Sequence, residues 1–112
     1  MLTIDELKAL GADTDDGITR CMGKEDFYLR MVKLALSDDS FEKMKEAILA
    51  GNLDEGFERA HALKGILANV SLTSLYEPVA AMTEDLRARK DIDYTDQIAA
   101  AEELLNKYRA LL

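Results

Sequence analysis

The sequence has one cysteine, one proline, one histidine and no long apolar run. Cys21 has no partner for an internal disulfide, which fits a reducing compartment. There are only one proline and six glycines, and Gly11, Gly23 and Gly51 stand at segment ends, so the composition favours helices. No stretch approaches the roughly 20 apolar residues needed to span a bilayer. The opening MLTIDELKAL carries Asp5 and Glu6 where a secretory signal would be basic. A cytoplasmic location away from membranes is therefore expected. Cations are also scarce: 14 Lys and Arg stand against 22 Asp and Glu, for a net charge of −8. They are scattered among acids, which argues against nucleic acid, whose binding needs phosphates neutralised by clustered Lys and Arg. A Gly-rich phosphate loop and any nucleotide motif are missing as well, so ATP is not an expected substrate. A protein partner is the simplest remaining class.

What is present points to helices. At 112 residues, 48% hydrophobic and 32% charged, the chain suits one domain with a modest core. The apolar period is close to 3.6 throughout and no strand pattern emerges. Thr3 and Glu6 have capping-box spacing, which predicts a short helix to about Leu10, stopped by Gly11. A second short helix is expected from about Asp15 to Met22, stopped by Gly23.

Between Lys24 and Ala50, Phe27, Leu34, Phe41 and Ile48 recur seven apart, with Met31 and Met44 in the same stripe. Ser37-Asp38-Asp39-Ser40 resembles a break, with Asp39 and Glu42 able to cap a new helix, but the apolar phase passes through it unchanged. One long helix bent near Ser40, or two nearly collinear pieces, is the expectation. Leu29, Val32 and Leu36 would pack against the two short helices. After Gly51-Asn52, a helix from Leu53 to Val70 would turn Leu53, Phe57, Ala60, Leu63 and Leu67 inward. Another begins near Thr73, with Leu75, Val79, Met82 and Leu86 inward. Ser74 and Glu77 are spaced as a capping box there, which would leave Pro78 in the first turn. The stretch Ala88 to Asp93 turns the chain, and Tyr94, Ile98, Ala101, Leu105 and Tyr108 mark the last helix. The expected fold is all-α: an antiparallel up-down-up-down four-helix bundle over residues 24–112, preceded by two short helices in residues 1–23, all in one domain.

The single histidine lies in AHALKGILANV, residues 60–70. A helical projection at about 100° per residue places His61 roughly 100° from the centre of the apolar stripe, at the edge of the buried face. Its neighbours one turn away are Phe57, Glu58, Lys64 and Gly65, with Ala68 two turns on. A glycine inside a helix costs about 1 kcal/mol against alanine, so Gly65 suggests a close approach to the backbone. A boundary histidine beside an idle glycine is the dull alternative. Glu58 and His61 have the E-x-x-H spacing of carboxylate-bridged di-iron bundles, but such a site needs a second E-x-x-H and this chain has one histidine. Cys21 has no nearby motif and reads as a small packed hydrophobe. With metal and cysteine chemistry set aside, phosphoryl acceptance is the reading that remains beside the dull one, which the helix pattern alone favours. An unperturbed imidazole is largely neutral, hence nucleophilic, near pH 7. Lys64 can offset charge on phosphoryl oxygens, and small residues along the strip leave room for another protein.

His61-Ala62-Leu63-Lys64-Gly65 resembles the H-x-L-K-G signature of histidine-containing phosphotransfer (HPt) domains. Ala60 before it and Ala68-Asn69 after it also fit, as does a G-x-x-R-x-x-G-x-x-x-x-Y-like stretch from Gly17 to Tyr28. The chain departs from the family in having Ile66 where Ser or Ala is usual and Ser71 where Gly is usual. The resemblance implies a four-helix bundle in which His61 is phosphorylated, Lys64 is its electrostatic partner and Gly65 clears space for a docking domain. Phe57, Glu58, Gly65, Ala68 and Leu72 are the candidate partner-contact residues.

The resemblance further implies a phosphocarrier of a two-component phosphorelay rather than an independent enzyme. It would accept a phosphoryl group on His61 from a receiver-domain aspartate and pass it to another receiver. Partners would be response-regulator receiver domains and a hybrid sensor histidine kinase. Mg²⁺ would belong to the receiver's acidic site, leaving this chain without a cofactor, and the chain would be a monomer. Its initial Met and domain-sized length suggest a free-standing protein. A module that docks and blocks a receiver or kinase would need the same surface, and an unrelated helical scaffold is a third reading.

Overall fold

The computed structural model describes residues 1–112 as seven helices without strands. They are α1 (Ile4–Ala9), α2 (Thr14–Arg20), α3 (Glu25–Ser37), α4 (Ser40–Leu49), α5 (Leu53–Asn69), α6 (Thr73–Arg87) and α7 (Thr95–Arg109). No helix is long and apolar enough to cross a membrane. Thr3 caps α1, its hydroxyl accepting from the Glu6 amide at 3.2 Å and donating to the Glu6 carboxylate at 3.0 Å. Asn52 caps α5 by accepting from the Glu55 amide at 3.1 Å.

Consecutive long helices pack as neighbours, α4 on α5, α5 on α6 and α6 on α7, and α7 closes the ring against α3. Short connections make each neighbour antiparallel to the last. One apolar core runs through the bundle and takes in Leu7 and Ala12 from the amino-terminal segment. The inward positions expected for α6 and α7 are all buried: Leu75, Val79, Met82 and Leu86, then Tyr94, Ile98, Ala101, Leu105 and Tyr108. In α5, Ala60, Leu63 and Leu67 are buried, while Leu53 and Phe57 are half-buried.

Residues 24–50 form two helices, α3 and α4, rather than one continuous helix. Asp38 is extended (ψ 144°), and its carboxylate accepts from the Ser40 amide at 2.7 Å, starting α4 anew. Arg109 of α7 supplies the rest of the break. It donates to the carbonyls of Leu36 at 2.8 Å and Asp38 at 3.1 Å, oxygens left without helical donors where α3 ends. It also pairs with Glu42, so Glu42 serves this tie rather than a capping box with Asp39, which makes no side-chain cap. The break changes the buried stripe. Tyr28, Val32 and Leu36 form the core face of α3, whereas Phe27 and Met31 are half-buried and Leu34 is 60% exposed. Phe41, Met44 and Ile48 of α4 are buried as expected.

Ser74 also departs from expectation, because α6 already begins at Thr73 and Ser74 makes no cap. Its hydroxyl meets the Leu10 carbonyl at 2.6 Å and the Tyr108 hydroxyl at 2.7 Å, joining the α1–α2 link to α6 and α7. Pro78 consequently stands in the second turn of α6.

The stretch from Gly17 to Tyr28 anchors the far end of α5. Tyr28 is fully buried, and its hydroxyl donates to the Val70 carbonyl at 2.8 Å. Burial pushes its phenol well above the usual tyrosine range, with Tyr108 adding to the effect; burial also raises Tyr108. A phenol whose folded pKa exceeds its unfolded value of about 10 contributes stability below that pH, and loses it as pH rises toward the folded value. Melting temperature should therefore hold up to about pH 10 and fall above it. Tyr28→Phe should cost about 1 kcal/mol at neutral pH, where the Val70 carbonyl loses its partner, and should flatten the alkaline decline. An equally steep decline in that variant would refute the assignment.

Candidate functional site on the outer face of α5

The buried residues of α5, Gly56, Ala60, Leu63 and Leu67, recur at spacings of three and four and fix the rotation of the helix. That rotation sends His61 outward. The imidazole is exposed, farther into solvent than the edge position given by projection. Gly65 is exposed one turn on, Ala68 is half-buried beyond it, and Glu58 is exposed one turn before. Beyond its chain neighbours and the backbone of its own helix, a Cβ at Gly65 would meet no atom within 4 Å. No neighbouring helix needs that space, so Gly65 makes no close contact inside the bundle.

Lys64 is half-buried and joins none of the ion pairs of the bundle. Three residues along a helix from His61, its ammonium is free to meet an anion arriving at the imidazole. The strip thus offers an exposed nucleophile, an unpaired cation one turn away and a gap in the side-chain layer.

Leu72 does not belong to this face. It is fully buried, because α5 ends at Asn69 and the chain turns inward before α6. Phe57 is half-buried and already engaged: its ring stacks with that of His61, centroids 5.7 Å apart and planes 19° apart. The guanidinium carbons of Arg87 and Arg89 lie over the same ring, 4.8 and 5.0 Å from its centroid. These arginines were not among the sequence candidates. Their signal was the basic run Arg87-Ala88-Arg89-Lys90, unusual in so acidic a chain but readable only as a turn.

Both departures from the family pattern have a structural account. Ile66 points away from the histidine strip into an open apolar groove with Phe27, Met31, Leu34, Ala35 and Val70. Ser71 has φ +54°, the left-handed conformation that favours glycine. Its hydroxyl donates to the Asp16 carboxylate at 2.6 Å, tying the end of α5 to α2. This bond, with Arg20 beside it, holds the exposed Asp16 carboxyl below the usual range.

Among protein-family models, that of the Hpt domain matches residues 30–111. No curated protein and no solved structure matches the chain.

Proposed function

Given that the chain belongs to the Hpt domain family, whose members are histidine phosphotransfer modules of two-component signalling, we propose that His61 accepts a phosphoryl group from a receiver-domain aspartate and passes it to a second receiver. The lone pair of one ring nitrogen forms the N–P bond while the P–O bond to the aspartate breaks, and the electron pair leaves on the carboxylate. The other ring nitrogen keeps its proton through the transfer, and the cationic ring then releases it to water. Lys64 offsets the charge on the phosphoryl oxygens.

The observation that carries this reading is the exposed His61 beside an open Gly65. An acceptor must be reached by an active site on another protein, and the space over Gly65 gives that access. Glu58, Gly65, Ala68 and the outer edge of Phe57 form the docking surface. The chain acts as a cytoplasmic monomer and phosphocarrier, not an independent enzyme, with receiver domains and a hybrid sensor kinase as partners. It holds no cofactor, and Mg²⁺ stays in the acidic site of the receiver.

A pulse and chase tests both halves of the relay. A receiver charged with labelled phosphate should transfer label to this chain, and an uncharged second receiver should then remove it. A chain that binds the charged receiver yet stays unlabelled would instead be a blocking module.

A further inference from the structure

Arg89 adopts φ +52°, a conformation that costs most side chains about 1–2 kcal/mol. It follows α6 in a turn closed by the Arg89 amide on the Leu86 carbonyl and the Lys90 amide on the Asp85 carbonyl, at 3.0 and 3.1 Å. Glycine is the usual residue at that point of such a turn. A strained arginine persists there only if its surroundings hold it. Its side chain donates to Asp54 at 2.6 Å and to the Leu86 carbonyl at 2.7 Å, and lies over Phe57. Arg87 reaches the same ring while paired with Glu84 at 3.2 Å. The end of α6 is thus drawn over one aromatic ring of α5, and His61 stacks on that ring.

We propose that Phe57 is a positioning residue for His61, held in place by Arg87 and Arg89, so that the imidazole waits in one orientation instead of sampling the rotamers open to an exposed side chain. This inference rests on the reading of His61 as the phosphoryl acceptor. An attacking nitrogen must line up with the phosphorus and the leaving oxygen, and a rotamer fixed in advance removes that alignment cost from the transfer step.

Three variants test the assignment: Phe57→Leu keeps apolar bulk but removes the ring, Phe57→Tyr keeps the ring, and Arg89→Gly gives the turn its preferred residue while removing one guanidinium. Each is followed by the proton resonances of the His61 ring and by the rate of transfer from a phosphorylated receiver. Phe57→Leu should abolish the ring-current shift on the His61 protons and slow transfer about tenfold. Phe57→Tyr should restore both, and Arg89→Gly should stay folded with transfer about threefold slower. If Phe57→Leu failed to fold, Arg89→Gly would carry the test alone. Wild-type rates in Phe57→Leu and Arg89→Gly, with the wild-type chain readily labelled, would overturn the positioning role and leave the acceptor role standing. A wild-type chain that takes no phosphate would overturn both.

Discussion

Leucine at position 65 should leave the bundle folded and slow transfer from a phosphorylated receiver about a hundredfold, as when docking is displaced by about an ångström or more. Alanine at the same position should stabilise the isolated chain by about 0.5–1 kcal/mol, because a helical glycine loses more backbone entropy on folding. The two outcomes diverge because no other helix and no side chain beyond the adjacent residues lies within 4 Å of the missing Cβ. The bundle has no use for the gap, so a side chain there meets only a partner. Thermal melts of both variants beside their transfer rates check this. Melting temperatures that fell together with activity would show that Gly65 serves the core.

Gly17 behaves in the opposite way. A Cβ there would sit 2.2 Å from Cε1 and 2.6 Å from Cζ of Tyr28. That ring cannot retreat, since it is fully buried and its hydroxyl is tied to the Val70 carbonyl. Gly17→Ala should therefore destabilise by about 3 kcal/mol through overpacking, outweighing the roughly 1 kcal/mol that alanine gains in a helix. The melting temperature should drop by about 10 °C or more. An unchanged melt would mean that α2 does not lie flat against Tyr28. Those two outcomes together would separate a glycine that serves the fold from one that serves a partner.

The stripes of α5, α6 and α7 were legible because each helix is uninterrupted, so residues three and four apart stay on one face. The break between α3 and α4 was not. Apolar phase responds only to spacing along the chain, whereas the break is made by the Asp38 carboxylate and by Arg109 from the opposite end of the sequence. The same blindness affected Ser74, whose spacing to Glu77 suggested a local cap while its actual partners, Leu10 and Tyr108, are distant in sequence. At the site, His61, Lys64 and Gly65 share one helix, and helical geometry alone brings them together. Arg87 and Arg89 reach Phe57 across two helices, through a left-handed residue that no local pattern signals. Leu72 was misplaced because the strip was extended beyond the point where the helix ends.

The acceptor role of His61 is tested most directly by labelling wild-type chain and His61→Gln side by side from the same phosphorylated receiver. Glutamine is a good helix former and the position is exposed, so both proteins should give the same melting curve. Wild type should carry phosphate that is stable to base and lost in acid, as a phosphoramidate is, and His61→Gln should carry none. Equal labelling of the two proteins would contradict the account.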